Sequence, residues 1–434
     1  MTGVRAELRD AFVTLAVTGT NGKTTTTGML EAIVRASGAP SARVTTLGAW
    51  VNGECVAEGP TLEAFSSGIE RAHDAGVSIL ALEVTSRALA NGFAQLWPAR
   101  VAVFTNLTRD HIDYHGDPEH YLGAKAQLFM TLPDSGAAVF NACDPSSALI
   151  DLVTKPTVRR FSFAARRERI AEECAELPLT LVAREIHVSR EHTRITFESS
   201  PLADALGGEL VLGVLGSVNV ENALAAAVAA HAAGISAEHI QRGLASFPGV
   251  DGRFERVWKE PLVVVDYAHT PDALTRTLEL ARTLAGSGRV LVVFGCGGET
   301  DREKRPLMGR AAVEAADFVC VTSDNPRNED PAKIAQAVLA GARSLLISTG
   351  KSTGEGDLEV ARTTQGRDVF LLSDPDRASA IVRVIAECNL GDIVVVAGKG
   401  HERTQRIADR VLPFDDREVA REAARARFGS KGES

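Results

Sequence analysis

Cysteine is sparse and scattered. The six thiols (Cys55, Cys143, Cys174, Cys296, Cys320, Cys388) include no CxxC pair and no Cys/His cluster of metal-ligand spacing, which speaks against a disulfide framework and against a zinc knot. Reduced thiols in a reducing compartment are the expectation. Long apolar runs are lacking too: no stretch reaches the roughly 18 apolar residues needed to cross a bilayer. Residues 1 to 15 alternate charged with apolar side chains and have neither the apolar core nor the small-residue cleavage site of a signal peptide. There is no basic excess either. The 47 Lys and Arg against 56 Asp and Glu give a net charge of −9, which argues against a broad polyanion-binding surface and leaves room for a local phosphate site. A cytoplasmic protein with no nucleic-acid and no membrane partner is expected.

What is present is ordinary globular material in quantity. At 434 residues, 45% apolar and 24% charged, the chain has side chains for more than one core and a length suited to two or three domains. Short apolar runs of strand length alternate with longer Ala/Leu/Arg/Glu stretches of helical period, the pattern of parallel α/β units. Strands are predicted at 13 to 18, 79 to 83, 100 to 105 and 137 to 141. Residues 157 to 213, with β-branched segments at Val158 to Phe163, Leu179 to Val182 and Arg194 to Glu198, predict some antiparallel sheet, and an Ala-rich helix follows at 219 to 233. The Pro/Gly-rich stretch Ser246 to Arg253 marks a boundary, after which a second βα alternation begins at 263 to 267 and continues near 290 to 294, 318 to 323, 368 to 372 and 392 to 397. The expected fold is α/β: an ATP-binding domain over 1 to 247 with a mostly parallel sheet and a P-loop, then a Rossmann-like domain over 248 to 434. Residues 348 to 357 (STGKSTGEGD) predict a flexible loop, and Asp416 to Phe428 a solvated helix.

Three strings carry chemistry. In LAVTGTNGKTTTTGML (15 to 30) a strand enters a Gly-rich turn and then a helix. There Gly19, Thr20, Asn21 and Gly22 can aim backbone N–H groups at phosphate, Lys23 can neutralise it, and Thr24 or Thr25 can hold magnesium. The match to GxxxxGK[ST] is imperfect, because Val17 stands where the first glycine would be. In ALEVTSRAL (81 to 89), Glu83 ends an apolar run and so sits at the carboxyl end of a buried strand, where open α/β sheets place ligands. The third string, FTNLTRDHIDYHGDPEHYLGAKAQLF (104 to 129), packs Asn106, Asp110, His111, Asp113, His115 and Lys125 into a short span, with three histidines in ten residues. Zinc, magnesium and a purely structural role all remain open for it.

Taken in order, TGTNGKTT, EVTS, TNLTRDHIDYHG followed by AKAQLF, GSVNVENALAA, GRFE, DYAHTPDAL, FGCGGETDREKRPLMG, SDNPR and GKGHE resemble the Mur ligases, most of all the MurE branch, which adds the third residue to UDP-N-acetylmuramoyl-dipeptide. The resemblance runs from about residue 14 to 420. It implies an ATP-dependent, ADP-forming amide ligase with ATP and Mg2+ as cofactors, in which a donor carboxylate is phosphorylated and an amino acid's amine attacks the acyl phosphate. It implies that Lys23 and Thr24 hold the β- and γ-phosphates and a first magnesium, shared by Glu83. His111 then becomes ligand to a second metal, with Lys125 carbamylated beside it. Asn222 is implied at adenine, Asp266 at ribose, Arg253 near the phosphates and His269 on the nucleotide side. For the acceptor, the DNPR string (Asp324, Asn325, Pro326, Arg327) with Arg305, Gly398 and Glu402 implies meso-diaminopimelate or a similar amino acid. Two arginines to bind a carboxylate and Glu402 to accept from an ammonium suit a zwitterion.

The donor side departs from the family pattern. The P-loop strand begins near residue 13, so the domain that grips the UDP-sugar in this family is not expected ahead of it. The TTPE-like string reads Pro60, Thr61, Leu62, Glu63, and EVSSHAL reads EVTSRAL, with Thr85, Ser86 and then Arg87 in place of histidine. A donor without the UDP handle is the resulting expectation. The alternatives are a folylpolyglutamate-synthetase-like ligase, a truncated MurE that takes donor recognition from a partner protein, and a non-catalytic ATP-binding module. The site is expected in a cleft between the two domains, closing about Phe247 to Arg253 to keep water from the acyl phosphate.

Overall fold

The computed structural model describes residues 6–108, 112–352 and 358–429. Two compact units divide the chain, Met1–Gly249 and Val250–Ser434, and the division falls within the Pro/Gly-rich stretch.

The first unit is built on β1 (Val13–Thr18), β2 (Ser41–Thr45), β3 (Gly48–Val51), β4 (Glu54–Glu58), β5 (Ile79–Glu83), β6 (Val101–Phe104), β7 (Ala137–Asn141), β8 (Arg159–Ala164), β9 (Leu179–Val188), β10 (Thr193–Phe197) and β11 (Glu209–Leu212). They form one sheet in the order β11-β10-β9-β8-β7-β6-β1-β5-β2-β3-β4. From β9 across to β2 all neighbours are parallel, and both ends finish in antiparallel hairpins. The central strands are apolar on both faces because helices cover both: Leu15, Val17, Val101, Val103 and Val139 are fully buried. Within the helix Ser217–Ala232 the run Ala223 through Ala230 is apolar on every side and fully buried, as a helix segment lying inside a core requires. The helix Ala237–Ser246 meets the helix Lys23–Ala36 at Gly243, where a Cβ would stand 2.4 Å from the Ile33 Cα.

The second unit holds β12 (Glu255–Trp258), β13 (Leu262–Asp266), β14 (Val290–Phe294), β15 (Phe318–Val321), β16 (Leu346–Ser352), β17 (Glu359–Thr363), β18 (Asp368–Ser373) and β19 (Ile393–Ala397), ordered β12-β13-β19-β14-β15-β18-β17-β16. The five strands from β13 to β18 are parallel, and Val263, Val265, Val293, Val394 and Val396 make their shared core. A separate hairpin joins β20 (Thr404–Ile407) to β21 (Arg410–Pro413).

Three expectations need correction. Residues 348 to 352 are strand, not loop: β16 pairs antiparallel with β17, and ladder hydrogen bonding overrides the Gly/Ser/Thr composition; 353 to 357 lie outside the described residues. The segment Val158 to Phe163 forms β8, parallel to β7 and β9, so the antiparallel part begins only at β9. The terminal helix Asp416–Phe428 is not wholly solvated, since Asp416, Arg417, Ala420 and Ala424 are buried. The parallel order sets both sites. The carboxyl ends of β5, β1 and β6 lie side by side in the first unit, and those of β13, β19, β14 and β15 in the second, where such sheets present ligand-binding loops.

Candidate functional site

In the first unit the turn after β1 is braced by the loop after β6. Gly19 sits at φ 149°, and a Cβ there would come within 1.9 Å of the Thr105 hydroxyl, so the close approach demands glycine. The Thr20 and Asn21 N–H groups, expected to point at phosphate, instead donate to the Asn106 carbonyl (2.8 Å) and to Asn106 Oδ1 (2.9 Å). The Thr20 hydroxyl accepts from the Thr108 N–H (3.0 Å) and lies 3.1 Å from the Tyr121 hydroxyl. What remains for an anion is the amino end of the helix Lys23–Ala36, entered at Gly22 with φ 85° and no side-chain cap. Its first-turn N–H groups and dipole suit phosphate.

Around that helix end the charged groups converge. Lys23 Nζ donates to the Thr20 carbonyl at 2.8 Å. The Thr24 hydroxyl donates to Glu83 Oε2 at 2.9 Å, and the Thr46 N–H reaches the same oxygen at 3.2 Å. A hydroxyl and a carboxylate in contact are hard oxygen ligands, a donor set that fits magnesium. Thr25 is buried within the helix. Asn222, buried, accepts weakly from the Thr26 hydroxyl at 3.4 Å, and its Oδ1 stands 2.1 Å from where a Gly22 Cβ would be, against the phosphate turn. Lys125 is 1% exposed. Its Nζ donates to the Gly19 carbonyl at 2.7 Å and lies 4.2 Å from the Tyr121 ring centre.

His111 and Asp110 lie outside the described residues, and nothing is described of the Asp113 side chain. The neighbouring histidines do not gather: His115 Nε2 meets the Ser86 hydroxyl at 3.0 Å, while His120 Nδ1 meets Asp117 at 2.8 Å. Among the described residues no group of three or more His, Cys, Asp or Glu could hold a metal. On the donor side, Thr61 caps the helix Leu62–Asp74 through the Ala64 N–H (3.0 Å), and Thr85 caps Ser86–Ala90 through the Ala88 N–H (3.2 Å). Arg87 is exposed and lies over the Tyr114 ring at 4.8 Å.

The second unit gathers its site from four strand ends. Asp266, closing β13, accepts from the Phe254 N–H (2.7 Å), the Ala268 N–H (2.9 Å) and the Thr277 hydroxyl (2.9 Å), which leaves about one lone pair of the usual four for a ligand. Arg253 lies over the Tyr267 ring at 4.3 Å. His269 packs on the same ring at 4.6 Å, with Nδ1 2.9 Å from the Tyr267 carbonyl. Burial lowers the His269 pKa, so its imidazole is neutral at pH 7.

Beyond β15 and β19, Asp324, Asn325, Lys399 and Glu402 form one cluster. Lys399, fully buried, donates to Glu402 Oε2 (3.0 Å) and Asn325 Oδ1 (3.2 Å), and lies 3.8 Å from Asp324 Oδ1. Asn325 Nδ2 donates to Glu402 Oε2 at 2.8 Å. Burial works to raise the Glu402 pKa, but Lys399 and Asn325 outweigh it and hold the carboxyl below its ordinary value. Asp324 has its pKa raised, by burial first of all, and its Oδ1 is buried without a hydrogen-bond partner. Gly398, at φ 113°, faces Asp324 Oδ2, with a Cβ there coming 3.7 Å away.

Arg327, in the left-handed region at φ 52°, is pinned to the β20 hairpin through its own N–H and carbonyl, and Nη1 donates to the Gly298 carbonyl at 2.7 Å. Arg305 differs from expectation. Its fork is filled by Glu329 in a bidentate pair at 3.0 and 3.0 Å, and the Glu329 carboxyl, hydrogen-bonded to Arg305, is lowered to about 2. Sequence reasoning missed Lys399, although it stands in the GKGHE string. It also missed Glu329 and the fully buried Arg377–Asp416 pair, whose Arg donates to the Ser323 and Ala397 carbonyls just ahead of Asp324 and Gly398. Chemically, two carboxylates against one lysine leave room for an ammonium, and Arg327 offers a carboxylate partner.

Residues 17–230 match the family model of the Mur ligase middle domain, and residues 252–400 that of the Mur ligase glutamate ligase domain. The UDP-N-acetylmuramoyl-L-alanyl-D-glutamate–2,6-diaminopimelate ligase of Solibacter usitatus (strain Ellin6076) is 40% identical over 425 residues, covering 94% of this chain and 76% of its own. A solved structure of a ligase of the same name superposes with a TM-score of 0.66 at 30% identity, covering 96% of this chain and 79% of its own. Escherichia coli FolC in complex with DHPP and ADP, 20% identical, shares the fold with a TM-score of 0.63 over 91% of this chain and 89% of its own.

Proposed function

Because the chain belongs to the Mur ligase family, we propose that it joins an amino acid such as diaminopimelate to a donor carboxylate through an acyl phosphate made from ATP. The observation that carries this reading is the Thr24 hydroxyl on Glu83 at the open end of the Lys23–Ala36 helix: phosphate donors, a cation and hard oxygen ligands meet at one point. Bound there, magnesium would neutralise charge on the transferring phosphoryl group. Thr24 and Glu83 would hold it, and Lys23 would leave the Thr20 carbonyl for the nucleotide phosphates. Asn222, Asp266, Arg253 and His269 are proposed for the nucleotide, and His111 for a second metal. Carbamylation of Lys125 is part of the proposal: the carbamate nitrogen would keep one N–H for the Gly19 carbonyl, and an anion would replace the buried cation. Besides ATP, an amino acid and a carboxylate donor are the proposed substrates, and a partner protein that supplies donor recognition is the alternative.

For the acceptor, the unpartnered Asp324 Oδ1 with Glu402 supports an ammonium site. Arg327 supports a carboxylate site, and Arg305 acts through Glu329 to hold the loop. For the donor, the readings at Pro60–Glu63 and at Arg87 support a carboxylate without a UDP handle. The names of the relatives favour UDP-N-acetylmuramoyl-L-alanyl-D-glutamate instead. Phosphate release from MgATP decides between them, with diaminopimelate, lysine and glutamate crossed against that UDP-dipeptide and against simpler carboxylates. Release that needs the UDP-dipeptide would overturn the donor reading, and equal release with lysine would overturn the acceptor reading. No release with any pair would remove the ligase reading altogether.

A further inference from the structure

An arginine at the amino end of a helix is badly placed for stability alone. The helix dipole already presents positive charge there, and a buried ion pair seldom repays the desolvation of both ions. Arg377 opens the helix Arg377–Glu387 and is fully buried, as is its partner Asp416. Four of its five N–H donors are spent. Nε and Nη2 reach the Asp416 carboxylate at 2.7 Å each, Nη2 also reaches the Ala397 carbonyl at 2.9 Å, and Nη1 reaches the Ser323 carbonyl at 3.1 Å. Those carbonyls lie at the ends of β19 and β15, the strands on either side of β14. The residue that follows Ser323 is Asp324, and the residue that follows Ala397 is Gly398, which opens the turn through Lys399 to Glu402. One planar fork thus spans both halves of the acceptor cluster, a reach that the point charge of a lysine does not have. Burial works against the charge on the guanidinium, but Asp416 outweighs it and holds the pKa above its ordinary value.

We propose that Arg377 is a positioning residue for the acceptor: by bridging the ends of β15 and β19 it fixes the spacing of Asp324 and Glu402, and its charge keeps Asp324 an anion, so that the two carboxylates take an ammonium and refuse an uncharged group. The inference rests on the ligase reading, which puts the ammonium of the acceptor's non-reacting end at these carboxylates, and every residue in it belongs to the second unit. Burial raises the Asp324 pKa; Arg377 first and then Lys399 pull it back, while Glu402 and Asp416 push it up. Tyr267, His269 and Cys296 face the same carboxylate. A site of this kind holds an ammonium above the Asp324 pKa and loses it as pH falls through that value. Without Arg377 the loss begins at a higher pH. Without Asp416, but with the guanidinium still in place, it begins at a lower one.

Two acceptors isolate the grip, because 2-aminopimelate has the carbon chain and both carboxylates of diaminopimelate but no far ammonium. With MgATP and UDP-N-acetylmuramoyl-L-alanyl-D-glutamate, or the simpler carboxylate that supports phosphate release, the wild-type chain should prefer diaminopimelate by about 10²-fold in kcat/KM. R377M/D416L replaces the buried pair by apolar side chains, an exchange that folds commonly survive. It should cut that preference about tenfold, the worth of one charged hydrogen bond, leave the KM for ATP unchanged, and move the acid limb of kcat/KM for diaminopimelate to higher pH. D416N should move the same limb to lower pH. An unchanged preference in R377M/D416L, an equal loss for both acceptors, or limbs that stay put or move the same way in the two variants would overturn the proposal. If R377M/D416L does not fold, the direction of the D416N limb decides alone. A wild-type chain that does not distinguish the two acceptors contradicts the ammonium reading itself, and one that releases no phosphate with either contradicts the ligase reading. The proposal falls with either, by a result different from those that overturn Arg377 alone.

Discussion

The two sites put polar groups to opposite use. In the first unit most hydroxyls and amides of the phosphate turn are satisfied by their neighbours, Thr20 by Thr108, Asn21 by Asn106 and Thr24 by Glu83, the buried Thr18 hydroxyl being an exception. Its anion site is made from backbone. In the second unit the side chains carry the charge, Lys399 and Asp324 are buried, and Asp324 Oδ1, Arg305 Nε and His401 Nδ1 are left without partners. Native proteins rarely bury unpaired polar atoms, so a group of them beside one set of strand ends marks where a ligand's own polar atoms belong. A phosphate turn is stable while it waits. The acceptor cluster holds its unmet hydrogen bonds in reserve for the substrate.

That contrast can be broken from either side. Lys125→Ala should lose turnover almost entirely, with partial return on adding small carboxylates, and unaffected turnover would remove the carbamate reading. Lys23→Ala should cost about 10³-fold in kcat, as removal of one preorganised charge does. Phosphate release kinetics read both, and circular dichroism should show the fold kept. Asp416→Asn strips the charge that pairs Arg377 beneath the acceptor loops and should cost about 3 kcal/mol of stability, read as a fall in the urea midpoint. Arg327→Ala should raise the acceptor KM about 30-fold, the worth of one charged hydrogen bond, while the KM for ATP stays put. Equal loss for both would point to misfolding. The smallest effect concerns acid. Glu329 has a folded pKa of about 2 against an ordinary 4.5, so its pairing with Arg305 contributes stability above about pH 4.5 that is lost as pH falls toward 2. Glu329→Gln should lower the unfolding midpoint above about pH 4.5 and flatten that acid limb.

The first site was largely legible in sequence because its parts are local. Gly19 to Thr25 are consecutive, and an apolar run announced that Glu83 would end a strand. What sequence could not tell was that Thr20 and Asn21 spend their N–H groups on Asn106, since that depends on the loop after β6 lying beside the turn. The acceptor site was legible only as residue types. Arg305 and Arg327 look alike in a string, yet a glutamate two residues beyond Arg327 closes the fork of Arg305, and only packing decides which arginine stays open. Arg377 was passed over because a lone arginine opening a helix has no pattern of its own; the two carbonyls it bridges come together only in three dimensions. The same limit hid β16, where ladder pairing with β17 outweighs a loop-like composition.

The central claim is that a donor carboxylate is phosphorylated before any amine attacks it. Labelling that carboxylate with 18O tests it most directly. Turnover with MgATP and diaminopimelate should release ADP and inorganic phosphate carrying one 18O atom from the donor for each amide made. Phosphate released without the label would mean that water, not the carboxylate, receives the phosphoryl group, and would contradict the mechanism.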